Sequence, residues 1–144
     1  MARVCIDASA VLELLLRQRL APQVQVLLDK WQQQGTELLG APMLYAEVSS
    51  VLREKVYHGL ITPEDGQEAF ELFCALDIAP SRRDDLHLRM WDLGRRVNAR
   101  KLYDLQYVAL AELERCELWT ADQKLVNLVS PRCPWVRWVG EAKV

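Results

Sequence analysis

An α/β fold with a mainly parallel central sheet is the class this sequence predicts, on three observations. Short apolar runs alternate with amphipathic segments at helical spacing. Prolines, a threonine and glycines punctuate the helical segments at starts and stops. The 144 residues, 51% of them hydrophobic, suit one domain spanning residues 1–144. A chain of this size buries roughly 68–70% of its unfolded surface.

Val4-Cys5-Ile6 is a short buried strand, and a helix follows with Ala10, Val11, Leu14 and Leu15 on one side. Pro22 opens a second helix at a position where its missing N–H costs nothing, with Val24, Leu27, Leu28 and Trp31 as its stripe and Gly35 as its stop. Glu37-Leu38-Leu39-Gly40 is a weak strand. Pro42 begins a helix that runs to about Tyr57 and is closed by Gly59. Thr62-Pro63-Glu64-Asp65 combines a Thr cap, a first-turn proline and acids at a helix start. Leu76-Asp77-Ile78-Ala79 is a short strand, after which Ser81 caps a basic helix. A further helix runs from about Tyr103 to Arg115. Glu117-Leu118-Trp119-Thr120 is a strand, Gln123 to Val129 a short helix, and Trp135-Val136-Arg137-Trp138-Val139 an alternating last strand.

Composition removes several classes of function. No stretch is long and apolar enough to span a bilayer. The start, Met1-Ala2-Arg3-Val4-Cys5-Ile6-Asp7, lacks the apolar region of a signal peptide. A cytoplasmic protein without a membrane role is the expectation. Cys5, Cys74, Cys116 and Cys133 are scattered, with no zinc-ligand spacing, and are expected to be free thiols. His58 and His87 have no obvious partner and are expected at the surface. The net charge is −2, but residues 82–101 hold seven Lys/Arg against three Asp. That segment is +4 and the remainder −6, so an acidic protein carries one basic stripe fit for a polyanion.

Four acids stand where a fold of this class draws notice. Ligands of such sheets bind beyond the carboxyl ends of the strands. Asp7 directly follows the first strand, and Asp122 follows Thr120 by two residues. Each could equally cap the next helix, and the two roles coexist. Glu47 shares a helical face with Leu44, Val48, Val51 and Leu52. Asp104 lies one turn before Tyr107, Val108 and Ala111, on the same side. Charges on core-facing stripes need a partner, either a buried Arg or a metal. Converging carboxylates repel, and a hard divalent cation removes the conflict. Oxygen ligands without His or Cys favour Mg²⁺ or Mn²⁺ over Zn²⁺. Such ions catalyse phosphodiester hydrolysis.

With these residues in place, the chain resembles a PIN domain, specifically of the VapC toxin type. The resemblance runs over nearly the whole chain through Ile6-Asp7-Ala8-Ser9-Ala10, Ala41-Pro42-Met43-Leu44-Tyr45-Ala46-Glu47-Val48, Tyr103-Asp104-Leu105-Gln106-Tyr107-Val108-Ala109-Leu110-Ala111 and Leu118-Trp119-Thr120-Ala121-Asp122. Asp7, Glu47, Asp104 and Asp122 match the family's acidic quartet; Ser9 and Thr120 match its hydroxyl positions near the metal. Local capping would explain the two hydroxyls almost as well. The resemblance implies a three-layer sandwich with a central parallel sheet flanked by helices, and Mg²⁺- or Mn²⁺-dependent endonucleolytic cleavage of single-stranded RNA leaving 5′-phosphate and 3′-hydroxyl ends. Asp7, Asp104 and Asp122 would be direct or water-mediated ligands, and Glu47 a ligand or the group that orients the attacking water. It also implies a homodimer, and neutralisation by a small antitoxin that lays a helix or tail into a groove near the site.

Two other readings compete. A non-catalytic PIN-fold module could bind RNA or protein, although the intact quartet argues against it. A haloacid-type phosphatase wants a second Asp two residues after the first, where Ser9 stands, and no convincing Asp–Lys pair supports a phospho-receiver domain. For RNA contact, Arg100 and Lys101 lie past the basic helix beside Asp104 and are favoured. Arg95 and Arg96 serve equally as solvated charges at a helix end. Leu12, Leu14, Leu15, Leu16, Leu20, Val24, Leu27 and Leu28 exceed what one sheet face needs, which suggests a thick core, a dimer interface or the antitoxin groove.

Overall fold

The computed structural model describes residues 2–144. Five parallel strands form one sheet: β1 (Arg3–Ile6), β2 (Glu37–Gly40), β3 (Ala79–Pro80), β4 (Glu117–Thr120) and β5 (Val136–Trp138), in the spatial order β3-β2-β1-β4-β5. Cys5 aligns with Leu39 on one side and with Leu118 on the other. Val4, Cys5 and Ile6 are buried in succession, as are Leu118, Trp119 and Thr120. Both sheet faces are therefore covered, which is why these strands read as continuous apolar runs rather than alternating ones.

The helices are α1 (Ala8–Leu15), α2 (Ala21–Gln34), α3 (Leu44–Tyr57), α4 (Pro63–Ala75), α5 (Leu86–Val97), α6 (Leu105–Leu113) and α7 (Gln123–Val129), with a final 3₁₀ turn over Val139–Glu141. Gly35 ends α2 in the left-handed conformation, φ 68°, and the Thr62 hydroxyl accepts from the Asp65 N–H at the start of α4. α6 packs on β1 and β4 and is covered by α5. Every residue from Leu105 to Ala111 is buried, so α6 has no single apolar face; it is buried all round, the polar Gln106 included, because protein surrounds it.

Several boundaries depart from the sequence reading. α3 begins at Leu44 rather than Pro42. β3 falls on Ala79–Pro80, displaced from Leu76–Ala79, because only those two residues pair with β2. Ser81 does not cap α5: it stands five residues before the helix starts, and its hydroxyl accepts from the Arg83 N–H. Of the early leucines, Leu15, Leu20, Leu27 and Leu28 are buried with Val24, and Leu12, Leu14 and Leu16 pack partly buried against them. The apolar surplus is largely core. His58 and His87 are exposed, and all four cysteines are free. No described helix is long and apolar enough to cross a membrane.

Candidate active site

From β1 the chain crosses to β2 on one side, while from β4 it crosses to β5 on the other. The carboxyl ends of β1 and β4 thus bound the crevice at the sheet's switch point, where ligands of this architecture bind. Asp7 follows β1 there, and Thr120 ends β4 beside it.

Asp7 is buried, and protein groups hold its carboxylate on both oxygens. Oδ1 accepts from the Ser9 hydroxyl at 2.7 Å and the Ala10 N–H at 3.0 Å; Oδ2 accepts from the Thr120 hydroxyl. Ser9 in turn accepts from the Ala121 N–H, and Thr120 from the Asp122 N–H, each at 3.0 Å. Each hydroxyl has one proton, and both protons point at Asp7, so the 3.1 Å approach of Ser9 to Thr120 carries no third bond. A carboxylate offers about four lone pairs. Three are used, and the free one is on Oδ2. Burial outweighs these hydrogen bonds and, with the Asp104 charge, pushes the Asp7 carboxyl up to about 6.

The other three acids follow the same plan in part. Tyr107 is buried in α6, and its hydroxyl needs a partner; it donates to Glu47 Oε1 at 2.8 Å, leaving Oε2 free. Burial raises the Glu47 carboxyl, the Tyr107 bond opposes this, and Asp104 adds to the rise. Asp122 caps α7, its Oδ1 accepting from Lys124 and Leu125 N–H, so capping and a free Oδ2 coexist. Asp104 precedes α6 but makes no side-chain cap, and it is exposed rather than core-facing as its spacing suggested. The spacing extended the helix back past Asp104, whereas it begins at Leu105. Partial desolvation and the charge of Asp122 raise its carboxyl.

These acids act on one another: Asp104 on Asp7 and Glu47, Asp122 on Asp104. No cation figures among those influences, and none of the four acids is in an ion pair among the described residues. The buried-arginine explanation is therefore overturned. No three described His, Cys, Asp or Glu side chains are gathered tightly enough to hold an ion unaided. The free oxygens suit Mg²⁺, which keeps several waters and takes one or two carboxylates together with substrate phosphates.

The basic stripe is largely occupied. Arg83 pairs with Asp85 and Glu114, Arg89 with Glu112, and both Arg95 and Arg96 with Asp92. Arg100 and Lys101 are exposed without an ion pair among the described residues. The Leu102 side chain, in the segment leading to Asp104, packs over α5 in the space that Gly94 leaves open. Sequence reasoning treated Tyr107 only as a core residue. The available signal was a Tyr, with a hydroxyl to satisfy, on a buried helix.

The PIN domain family model matches residues 4–129, enclosing all four acids. Ribonuclease VapC9 of Mycobacterium tuberculosis is 31% identical over 132 residues, covering 91% of this chain and 94% of that protein. VapC ribonuclease Mb0985 of Mycobacterium bovis matches with the same identity and coverage. Two solved structures share the fold. VapBC2 from Rickettsia felis, bound to a DNA fragment from their promoter, has a TM-score of 0.67 at 13% identity, covering 94% of this chain and 96% of that one. PAE2754 from Pyrobaculum aerophilum has a TM-score of 0.68 at 14% identity, covering 96% and 92%. With its four acids at the switch point and these relatives along nearly its full length, the chain belongs to the PIN-domain family, among the VapC ribonucleases.

Proposed function

We propose that this protein is a Mg²⁺- or Mn²⁺-dependent endoribonuclease that cuts single-stranded RNA, acts in the cytoplasm as a toxin, and is restrained by a small antitoxin protein. The observation that carries the reading is the set of four carboxylates, free of ion pairs among the described residues, with oxygens left over at the switch point. Asp7, Asp104 and Asp122 would hold the ion, and Glu47 stands beside them. A divalent ion there supplies Lewis-acid stabilisation of phosphoryl oxygens and a lowered pKa for water.

The chain's own residues do the rest. Ser9, Thr120 and the Ala10 N–H fix the Asp7 carboxylate so that only Oδ2 has a lone pair to spare. Tyr107 occupies Glu47 Oε1, so Oε2 is the atom that orients the attacking water and takes its proton. Water attacks phosphorus in line as Glu47 takes its proton, the P–O3′ bond breaks, and the 3′ oxygen is protonated by solvent water. Arg100 and Lys101 hold the strand, whose phosphates an acidic pocket alone would repel. A cavity of about 240 Å³ between α1 and α4, lined by Leu14, Leu15, Leu16, Ile61, Ala69 and Leu72 with Arg17, Asp65 and Glu68 among them, supports a seat for an amphipathic antitoxin helix or tail.

Incubating the purified chain with end-labelled single-stranded RNA tests the nuclease. Cleavage should need Mg²⁺ or Mn²⁺, stop in excess chelator, and fail in Asp104→Asn. Cleavage that persists in chelator would refute the reading.

A further inference from the structure

Among the exposed apolar side chains to which the nuclease reading gives no role, two flank its acids. Tyr103 is 60% exposed and Met43 39%. Each flanks an acid of the site. Tyr103 immediately precedes Asp104, and Met43 lies one turn before Glu47, whose N–H donates to its carbonyl at 2.9 Å. Gln106 joins them: it is buried, and its Nε2 donates to the Tyr103 carbonyl at 3.0 Å and lies 3.0 Å from Met43 Sδ. One buried amide therefore ties the Tyr103 backbone and the Met43 thioether together at the rim of the carboxylates.

The ring is on a fixed backbone. The Leu105 N–H donates to the Leu102 carbonyl at 3.0 Å, and Leu102 occupies the space left by Gly94. Ordering Tyr103 on a ligand therefore costs little conformational entropy beyond its own ring. Three residues upstream begins the pair Arg100 and Lys101, exposed and without ion pairs among the described residues. The neighbourhood thus offers an aromatic face, a polarisable sulfur, free cations and, next to them, acids suited to phosphodiester chemistry. Single-stranded nucleic acid is bound by cations that track phosphates and aromatics that take unstacked bases.

We propose that Tyr103, its backbone held by Gln106, is a nucleobase-stacking seat that holds an unstacked base of single-stranded RNA beside the phosphodiester presented to Asp104. The proposal rests on the RNA-nuclease reading and deepens it. The charge pattern favours a base over an apolar peptide segment, because the cations two and three residues upstream match the phosphates of a strand. Every base has a π face, so this seat selects single strands over duplexes and is indifferent to sequence. In a duplex the bases are stacked on one another and offer no free face.

The test measures binding on an Asp7→Asn background, which removes cleavage, with a fluorescent mixed-sequence single-stranded RNA and the same sequence as a duplex. Tyr103→Ala should weaken single-strand binding by about five-fold to a hundred-fold and narrow the preference over duplex. Tyr103→Phe keeps the ring and should retain both. The slope of log affinity against log salt should stay the same in Tyr103→Ala, since no phosphate contact is lost. Thermal melting checks that the variants fold. If the Asp7→Asn chain binds RNA and Tyr103→Ala binds it equally well, the stacking seat is refuted while the nuclease reading stands. If Tyr103→Ala changes only the oligomeric mass by light scattering, the ring belongs to an interface between copies, and the proposal fails. If the Asp7→Asn chain binds no RNA and the unmodified chain cleaves none, both readings fall together.

Discussion

Replacing Asp7 by Asn should stabilise the protein in metal-free buffer, although it removes a central group of the proposed site. The Asp7 carboxyl stands at about 6 instead of its ordinary 3.8, because burial outweighs its hydrogen bonds to Ser9, Thr120 and Ala10. A folded-state value above the unfolded one makes the charged form a cost of folding. Below about pH 4 Asp7 is protonated in both states and the cost is absent; it grows as pH rises through the window up to about 6 and is complete above it. The gap corresponds to about 3 kcal/mol at pH 8. Asn recovers most of it if its polar atoms are satisfied, and the geometry allows this. Its oxygen can accept from Ser9 or Ala10 as Oδ1 does, and its amide can donate to Thr120, whose proton turns to Ser9, 3.1 Å away. At roughly 2–4 °C per kcal/mol, Asp7→Asn should melt up to about 10 °C higher at pH 8 in chelator. The difference should shrink towards zero by pH 4. Adding Mg²⁺ should raise the melting temperature of the unmodified chain and leave the variant nearly unchanged. Calorimetry at pH 8, 6 and 4 measures all of this. A variant that melts lower at pH 8, or a difference that persists unchanged at pH 4, refutes the electrostatic account of Asp7.

Two further outcomes follow from the same geometry. Tyr107→Phe removes the hydroxyl that donates to Glu47 Oε1; it should cost about 1–2 kcal/mol in denaturant unfolding. It should also move the acidic limb of the cleavage–pH profile upward, because that bond opposes the rise of the Glu47 carboxyl; a limb that stays put would separate Glu47 from the proton transfer. Arg100→Ala with Lys101→Ala, on the Asp7→Asn background, should reduce the salt slope of single-stranded RNA binding by about 1.4, at about 0.7 per lost phosphate contact. Arg95→Ala with Arg96→Ala should change it much less, since both lie against Asp92, and equal changes in the two doubles would remove the distinction drawn between them.

The α/β class and the order of the elements were legible in the sequence for local reasons, and so was the candidate status of the four acids. Asp7 and Asp122 are marked by the strands they follow and the helices they cap, and strand burial shows as unbroken apolar runs. The PIN-type resemblance also came from short contiguous segments, and the family match bears it out. Boundaries were harder. β3 exists only because two residues pair with β2, and Ser81 caps a turn rather than a helix. Asp104 was placed on a buried stripe by extrapolating a helix that begins one residue later.

What the sequence determined alone was the type and order of groups: apolar strands, capped helices, four acids and a cluster of basic residues. Tertiary structure decided which of these groups meet. Thr120 reaches Asp7, 113 residues away, and Tyr107 reaches Glu47, 60 residues away, because parallel strands and a buried α6 bring them together. The basic stripe was equally legible as composition, yet folding pairs four of its seven cations with Asp85, Asp92, Glu112 and Glu114, leaving Arg82, Arg100 and Lys101 free of such pairing among the described residues. Capping and periodicity are local and can be read along the chain. Desolvation and charge pairing depend on what lies across the fold, and only the packed structure determines them.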